Sequence, residues 1–143
     1  MNWKTEAEEK LTDYPFVKRS MKNLDKEIRR LDMELTALRS SGFVSASGGR
    51  GGRRKEDRML DNIASRELMT KALEQAELYI QTVDQALETL DSENREILEA
   101  VYIQSQWGSV SELAMELGLE RSTLYRKRDD ALRKFTLAMY GQC

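Results

Sequence analysis

The chain lacks histidine altogether and has one cysteine, one proline and three phenylalanines in 143 residues. Without histidine, the commonest general base and the usual nitrogen ligand of zinc sites are missing. A lone cysteine, Cys143, cannot close an internal disulfide, which suits a reducing compartment, so a cytoplasmic location is expected. No apolar run nears the roughly 20 residues that span a bilayer, and no membrane partner is expected. The stretch from Met1 to Lys10 is acidic and polar, unlike a signal peptide. An excess of one charge is also missing: 23 basic against 25 acidic residues give a formal net charge of −2. Total charge therefore does not announce a nucleic-acid binder, and local clusters matter more.

Catalytic constellations are equally scarce. Gly48-Gly49-Arg50-Gly51-Gly52 is glycine-rich, but it lacks the lysine-serine ending and flanking strand of a phosphate-binding loop. Asp129 and Asp130 are adjacent, so on a helix they diverge by about 100° and make a poor metal pair. Pairing with Arg126, Arg133 or Lys134 at helical spacing is expected instead. We therefore expect no enzyme activity, no cofactor and no metal.

What the chain does have is helix-forming pattern and charge, with 40% hydrophobic and 34% charged residues. That mix favours an all-α protein. From Pro15, apolar residues fall at Val17, Met21, Leu24, Ile28, Leu31, Leu35 and Leu38, alternating steps of four and three. This heptad seam predicts a helix over Pro15–Arg39, with proline in the first turn, Asp13 or Tyr14 as cap, and Met1–Tyr14 as a frayed lead-in. Ser40–Lys55 reads SSGFVSASGGRGGRRK and predicts a flexible loop. A second helix is predicted over Glu56–Leu90. Its seam is Met69, Leu73, Ala76, Ile80, Val83, Leu87 and Leu90, while Met59, Leu60, Ile63 and Leu68 fall out of phase. Two seams of similar length predict a long antiparallel hairpin over residues 1–90, and homo-oligomerisation through its heptads.

Residues 91–143 carry a different pattern. Asp91 or Ser92 caps a helix whose stripe is Ile97, Leu98, Val101 and Tyr102. Gln104–Gly108 is a break. Ser109 with Glu112 three residues on forms a capping box for a short helix over Val110–Leu117. Gly118 ends it, and a basic helix follows. Ala114 is small enough for two helices to cross closely, Gly118 allows a left-handed turn, and Leu124 anchors the second helix on the first. Leu113, Leu117 and Leu119 complete that core. The last helix then buries Leu124, Ala131, Leu132 and Phe135, with the stem of Arg128 alongside. These signals together predict a helix-turn-helix for double-stranded DNA. In that motif the early residues of the second helix enter the major groove. Arg121, Ser122, Tyr125 and Arg126 are the candidates for base edges. Lys127, Arg128, Arg133 and Lys134 are candidates for phosphates, as are Ser109, Ser111 and the amides at that helix start. Arg50, Arg53, Arg54 and Lys55 form a secondary basic loop.

The block Leu87-x-x-Leu90, Arg95-Glu96-Ile97-Leu98, Tyr102, Ser111-Glu112-Leu113-Ala114-x-x-Leu117-Gly118, Arg121-Ser122-Thr123-Leu124-Tyr125 and Ala131-Leu132 resembles region 4 of the sigma-70 family. The whole chain, with Tyr14-Pro15, Ser45-Ala46-Ser47 and a charged seam helix, is similar to phage and prophage transcriptional regulators of the RinA and ArpU kind. The resemblance implies activation of phage genes by promoter binding and contact with host RNA polymerase. Where a sigma factor carries its other promoter and core-binding regions, this chain has a heptad pair, so an accessory regulator is expected. Two rival readings use the same pattern. One is a small terminase subunit or other DNA-packaging adaptor, which would form large rings. The other is a protein-interaction module that holds polymerase.

Overall fold

The computed structural model describes residues 2–40 and 49–143, with side chains outside Gly49–Arg53. Every regular element among the described residues is helical: α1 (Trp3–Ser40), α2 (Gly49–Glu88), α3 (Ser92–Leu98), a π-helical turn (Glu99–Ile103), α4 (Ser109–Leu117) and α5 (Arg121–Tyr140). They cluster into two compact units. One joins the residues up to Lys18 with Leu78–Cys143, and the other is Arg19–Glu77. The expected boundary near residue 90 is thus displaced, because both the start of α1 and the end of α2 belong with the C-terminal helices.

The lead-in is the largest departure from expectation. α1 begins at Trp3 and runs through Pro15 without ending there. Proline inside a helix removes the donor for the carbonyl four residues back and costs about 3 kcal/mol. Burial offsets that cost: Ala7 and Leu11 have no exposed surface and Tyr14 only 8%. Tyr14 and Ala7 fall where the seam carried backwards places them, Leu11 lies one position off it, and the chain pins this stretch with polar bonds. The Tyr14 hydroxyl donates to Asp84 at 2.6 Å, Tyr102 donates to Glu8 at 3.1 Å, and Tyr79 donates to the Lys10 carbonyl at 2.5 Å. The Lys4 ammonium lies 2.9 Å from Asp129. Asp13 and Tyr14 are mid-helix and cap nothing.

The tyrosine bonds carry a pH signature. Burial, then Asp84, pushes the Tyr14 hydroxyl well above its ordinary value, and burial with Glu8 does the same for Tyr102. Tyr79 is pushed up to about 12, first by burial and then by Asp13 and Tyr140. In the unfolded chain these hydroxyls ionise near pH 10. The folded state holds its protons longer, so stability is full below about pH 10 and falls as pH rises beyond it. Urea midpoints at pH 8 and pH 11 check this, with a marked drop expected at the higher pH and a smaller drop in Tyr14→Phe. Equal midpoints for the wild type would show that these hydroxyls titrate normally.

In the unit Arg19–Glu77, Leu31, Leu35 and Ala76 are buried. The seam residues Met21, Leu24, Ile28, Met69 and Leu73 are half-buried. Asn62 is the buried polar residue here: its side-chain amide donates to the Leu31 carbonyl at 2.9 Å. Arg66 bonds Asp32 across the same two helices. The out-of-phase residues divide accordingly. Met59 and Ile63 flank Asn62 and are half-buried, whereas Leu60 and Leu68 face water. Residues 41–48 of the expected loop lie outside the described residues. From Gly49 onward the backbone is helical, so α2 starts earlier than Glu56. Adding turns to an existing helix needs no new nucleus, which is why glycine-rich sequence can be recruited there.

Candidate nucleic-acid interface

The C-terminal helices are built from local signals that the sequence states clearly. Asp91 caps α3, its carboxylate accepting from the Asn94 amide at 2.8 Å. Ile97 and Leu98 are fully buried. α4 ends at Gly118, whose φ of +66° is left-handed. The Gly118 amide donates to the Met115 carbonyl at 3.2 Å and the Leu119 amide to Ala114 at 2.9 Å. That pair of bonds is the Schellman turn, which satisfies the last carbonyls of the helix. α5 then starts at Arg121, with Glu120 in the extended N-cap position but making no side-chain capping bond. Ile97, Ala100, Leu113, Ala114 and Leu124 form one buried cluster, with Val101, Val110 and Leu117 packed against it. Ala114 and Leu124 therefore sit together as the sequence predicts. Leu119 is half-buried at the edge.

The entry to α4 is built differently from expectation. Its N-cap is Gly108, at φ +92°, and Ser109 is already helical. The Ser109 hydroxyl lies 2.9 Å from the Ala100 carbonyl and 3.0 Å from that of Gln106. The cause is the π-helical turn just before. There the Gln104 amide reaches back to Glu99 at 2.6 Å, leaving the Ala100 carbonyl without its α-helical donor. Ser109 supplies the missing proton, and no capping box forms with Glu112. An open cleft of about 260 Å³ adjoins this corner, lined by Glu96, Glu99, Glu112 and Glu116 among others. Ser109 lies in that acidic lining, which repels a phosphate. Ser111 is exposed on the next turn.

α5 places the candidate contacts as follows. Leu124, Ala131, Leu132, Phe135 and Thr136 are buried. Arg121, Ser122, Tyr125 and Arg126 are all exposed. Ser122, Arg126, Asp129 and Arg133 recur at steps of four, three and four, which sets them on one helix face. No ion pair between described residues engages Arg121, Arg126 or Arg133. The other cations are engaged. Lys127 donates to Glu93 at 2.5 Å and Lys134 lies 3.1 Å from Asp130. Arg128 sits 5.0 Å from the Tyr125 ring centre and donates to Asp129 at 3.1 Å. Asp129 is the one carboxylate on the exposed basic face. The Lys4 ammonium, with Arg128, holds its carboxyl below the usual range, so its charge is compensated locally. The sequence reading missed Lys4, because nothing in its spacing ties it to a residue in α5.

Comparison of the chain with protein-family models, curated proteins and solved structures finds no match. The resemblance to sigma-70 region 4 and to the phage regulators therefore rests on the residues quoted above. Of the secondary basic loop, Arg50 and Arg53 have side chains outside the described residues. Arg54 is exposed and Lys55 half-buried in the first turns of α2. Among the described residues no cluster of acidic or sulfur ligands is arranged to hold a metal. No described helix is long and apolar enough to cross a membrane.

Proposed function

We propose that α4 and α5 act as a helix-turn-helix that binds double-stranded DNA sequence-specifically, and that the chain regulates transcription as a homo-oligomer in the cytoplasm. The observation that carries this reading is that the two arginines at the head of α5, Arg121 and Arg126, are exposed and form no ion pair among the described residues. That helix leaves a Schellman turn and is locked to α4 through Ala114 and Leu124. Arginine can grip a guanine edge with two hydrogen bonds, and both residues lie in the turns that such a helix inserts into the major groove. Lys127 and Lys134 reach phosphates only by leaving their carboxylate partners, so Arg133 is the better phosphate candidate. The antiparallel pairing of α1 and α2 as a supporting hairpin is favoured by the bonds from Asn62 to Leu31 and from Tyr14 to Asp84. Phage origin and contact with RNA polymerase follow from the resemblance alone.

Selection on random duplexes should return a preferred site. At that site Arg126→Ala is expected to lose about 1–3 kcal/mol of affinity, with little change on random DNA. Equal losses on both would make Arg126 a phosphate contact. A chain that binds no duplex at low salt is not a DNA-binding protein.

A further inference from the structure

Four apolar residues of α2 recur at every fourth position and face water. Leu60 and Leu68 are 65% and 71% exposed, and Ala64 and Ala72 between and beyond them are exposed too. All four lie in the unit Arg19–Glu77, in which Asn62 and Ala76 are the buried residues of α2 among those described. The stripe is thus separate from the seam that α2 uses within its own chain. Residues four apart form an inclined ridge on a helix, the kind that packs into the groove of another helix at about −50°. From Leu60 to Ala72 the ridge runs about 18 Å at 1.5 Å per residue.

We propose that this ridge pairs with the same ridge of a second copy of the chain about a two-fold axis. A two-fold contact needs a surface complementary to itself. The order leucine, alanine, leucine, alanine has that property when reversed. Leu60 then falls level with the second copy's Ala72, and Ala64 with the second copy's Leu68, so each large side chain meets a small one. Parallel pairing in register would set leucine on leucine and leave the alanines facing a gap. The same reversal brings Asp61 level with the second copy's Lys71, so unlike charges share each end of the contact. An unrelated partner would require neither symmetry. A single ridge of this length is small beside the roughly 800 Å² per partner of a stable complex, so the dimer belongs to the weak, concentration-dependent class. The pairing stands independently of the DNA reading, and its test uses no DNA.

The experiment is sedimentation of the full chain over a dilution series, with circular dichroism as a check that each variant stays helical. The wild type should pass from dimer to monomer as it is diluted through the micromolar range. Leu68→Glu should be monomeric throughout. Ala64→Leu is the decisive variant: it adds apolar surface but fills the hole that receives the second copy's Leu68. It should weaken the dimer by about tenfold or more, where tenfold corresponds to about 1.4 kcal/mol. If Ala64→Leu associates as tightly as the wild type or more tightly, the surface is merely sticky and the proposal fails. A wild type that stays monomeric into the hundreds of micromolar, or an oligomer indifferent to Leu68→Glu, overturns it as well.

Discussion

Replacing Leu11 by aspartate should unfold the unit that joins the first residues to Leu78–Cys143. Leu11 has no exposed surface, so the substitution removes about 1.5–3 kcal/mol of apolar burial and adds a carboxylate to a dry site. The two losses together exceed about 5 kcal/mol, comparable to the whole stability of a small domain. Helical signal should fall and the urea transition should broaden or vanish at neutral pH. Leu11→Ala, which only leaves a cavity, should cost about 2–5 kcal/mol and keep a cooperative transition. A Leu11→Asp chain that melts like the wild type would mean that the stretch before Pro15 is frayed after all.

Leu124→Ala should be nearly as damaging, and its effect should centre on α4 and α5. Leu124 is fully buried in the cluster with Ile97, Ala100, Leu113 and Ala114. Two of its neighbours are alanines, short side chains that cannot reach into the space a lost isobutyl group leaves. The cavity therefore persists, and the expected cost is about 2–5 kcal/mol, towards the upper end. Leu137→Ala in the same helix is the control. Leu137 is 40% exposed, and its loss should change stability by about 0.5 kcal/mol or less. Denaturant curves of the two variants side by side make the comparison. Similar midpoints would place Leu124 outside any tight core and remove the support for the orientation of Arg121 and Arg126.

The contrast between these two positions shows what could be read from the sequence. Leu124, Ala114 and Gly118 were legible because their reasons are local. A glycine after an apolar period marks a left-handed turn, and a leucine on the stripe of the next helix marks its buried face. The cap at Asp91 and the exposed faces of Arg121 and Arg126 are legible on the same grounds. The burial of Leu11 is not, because Pro15 marks the first turn of a helix by local rules and only distant partners override that signal. Tyr79, Asp84, Tyr102 and Asp129 are all more than sixty residues away from the α1 residues they meet. Ser109 misled for a related reason. Serine followed by glutamate three residues later is a sound cap signal, but the π-helical turn left a carbonyl at Ala100 that claimed the hydroxyl first. Asn62 gave no apolar signal at all, so the seam seemed to stutter where an amide fills the buried place. The engagement of Lys127 with Glu93 depends on how α3 lies on α5, which no spacing within either helix encodes.

The unit that presents α5 draws on two stretches of chain separated by the whole of Arg19–Glu77. Translation delivers those stretches at different times. Leu11 and Tyr14 leave the ribosome first and meet nothing to cover them until Leu78 and the helices beyond it have been made. Closing so long a loop costs entropy before any contact repays it, so docking of the N-terminal turns should come late, after the local helices have formed. In that interval the nascent chain carries a bare apolar strip, the kind of segment a chaperone holds. Its exposure ends only when Leu78 and the helices that follow it have been made.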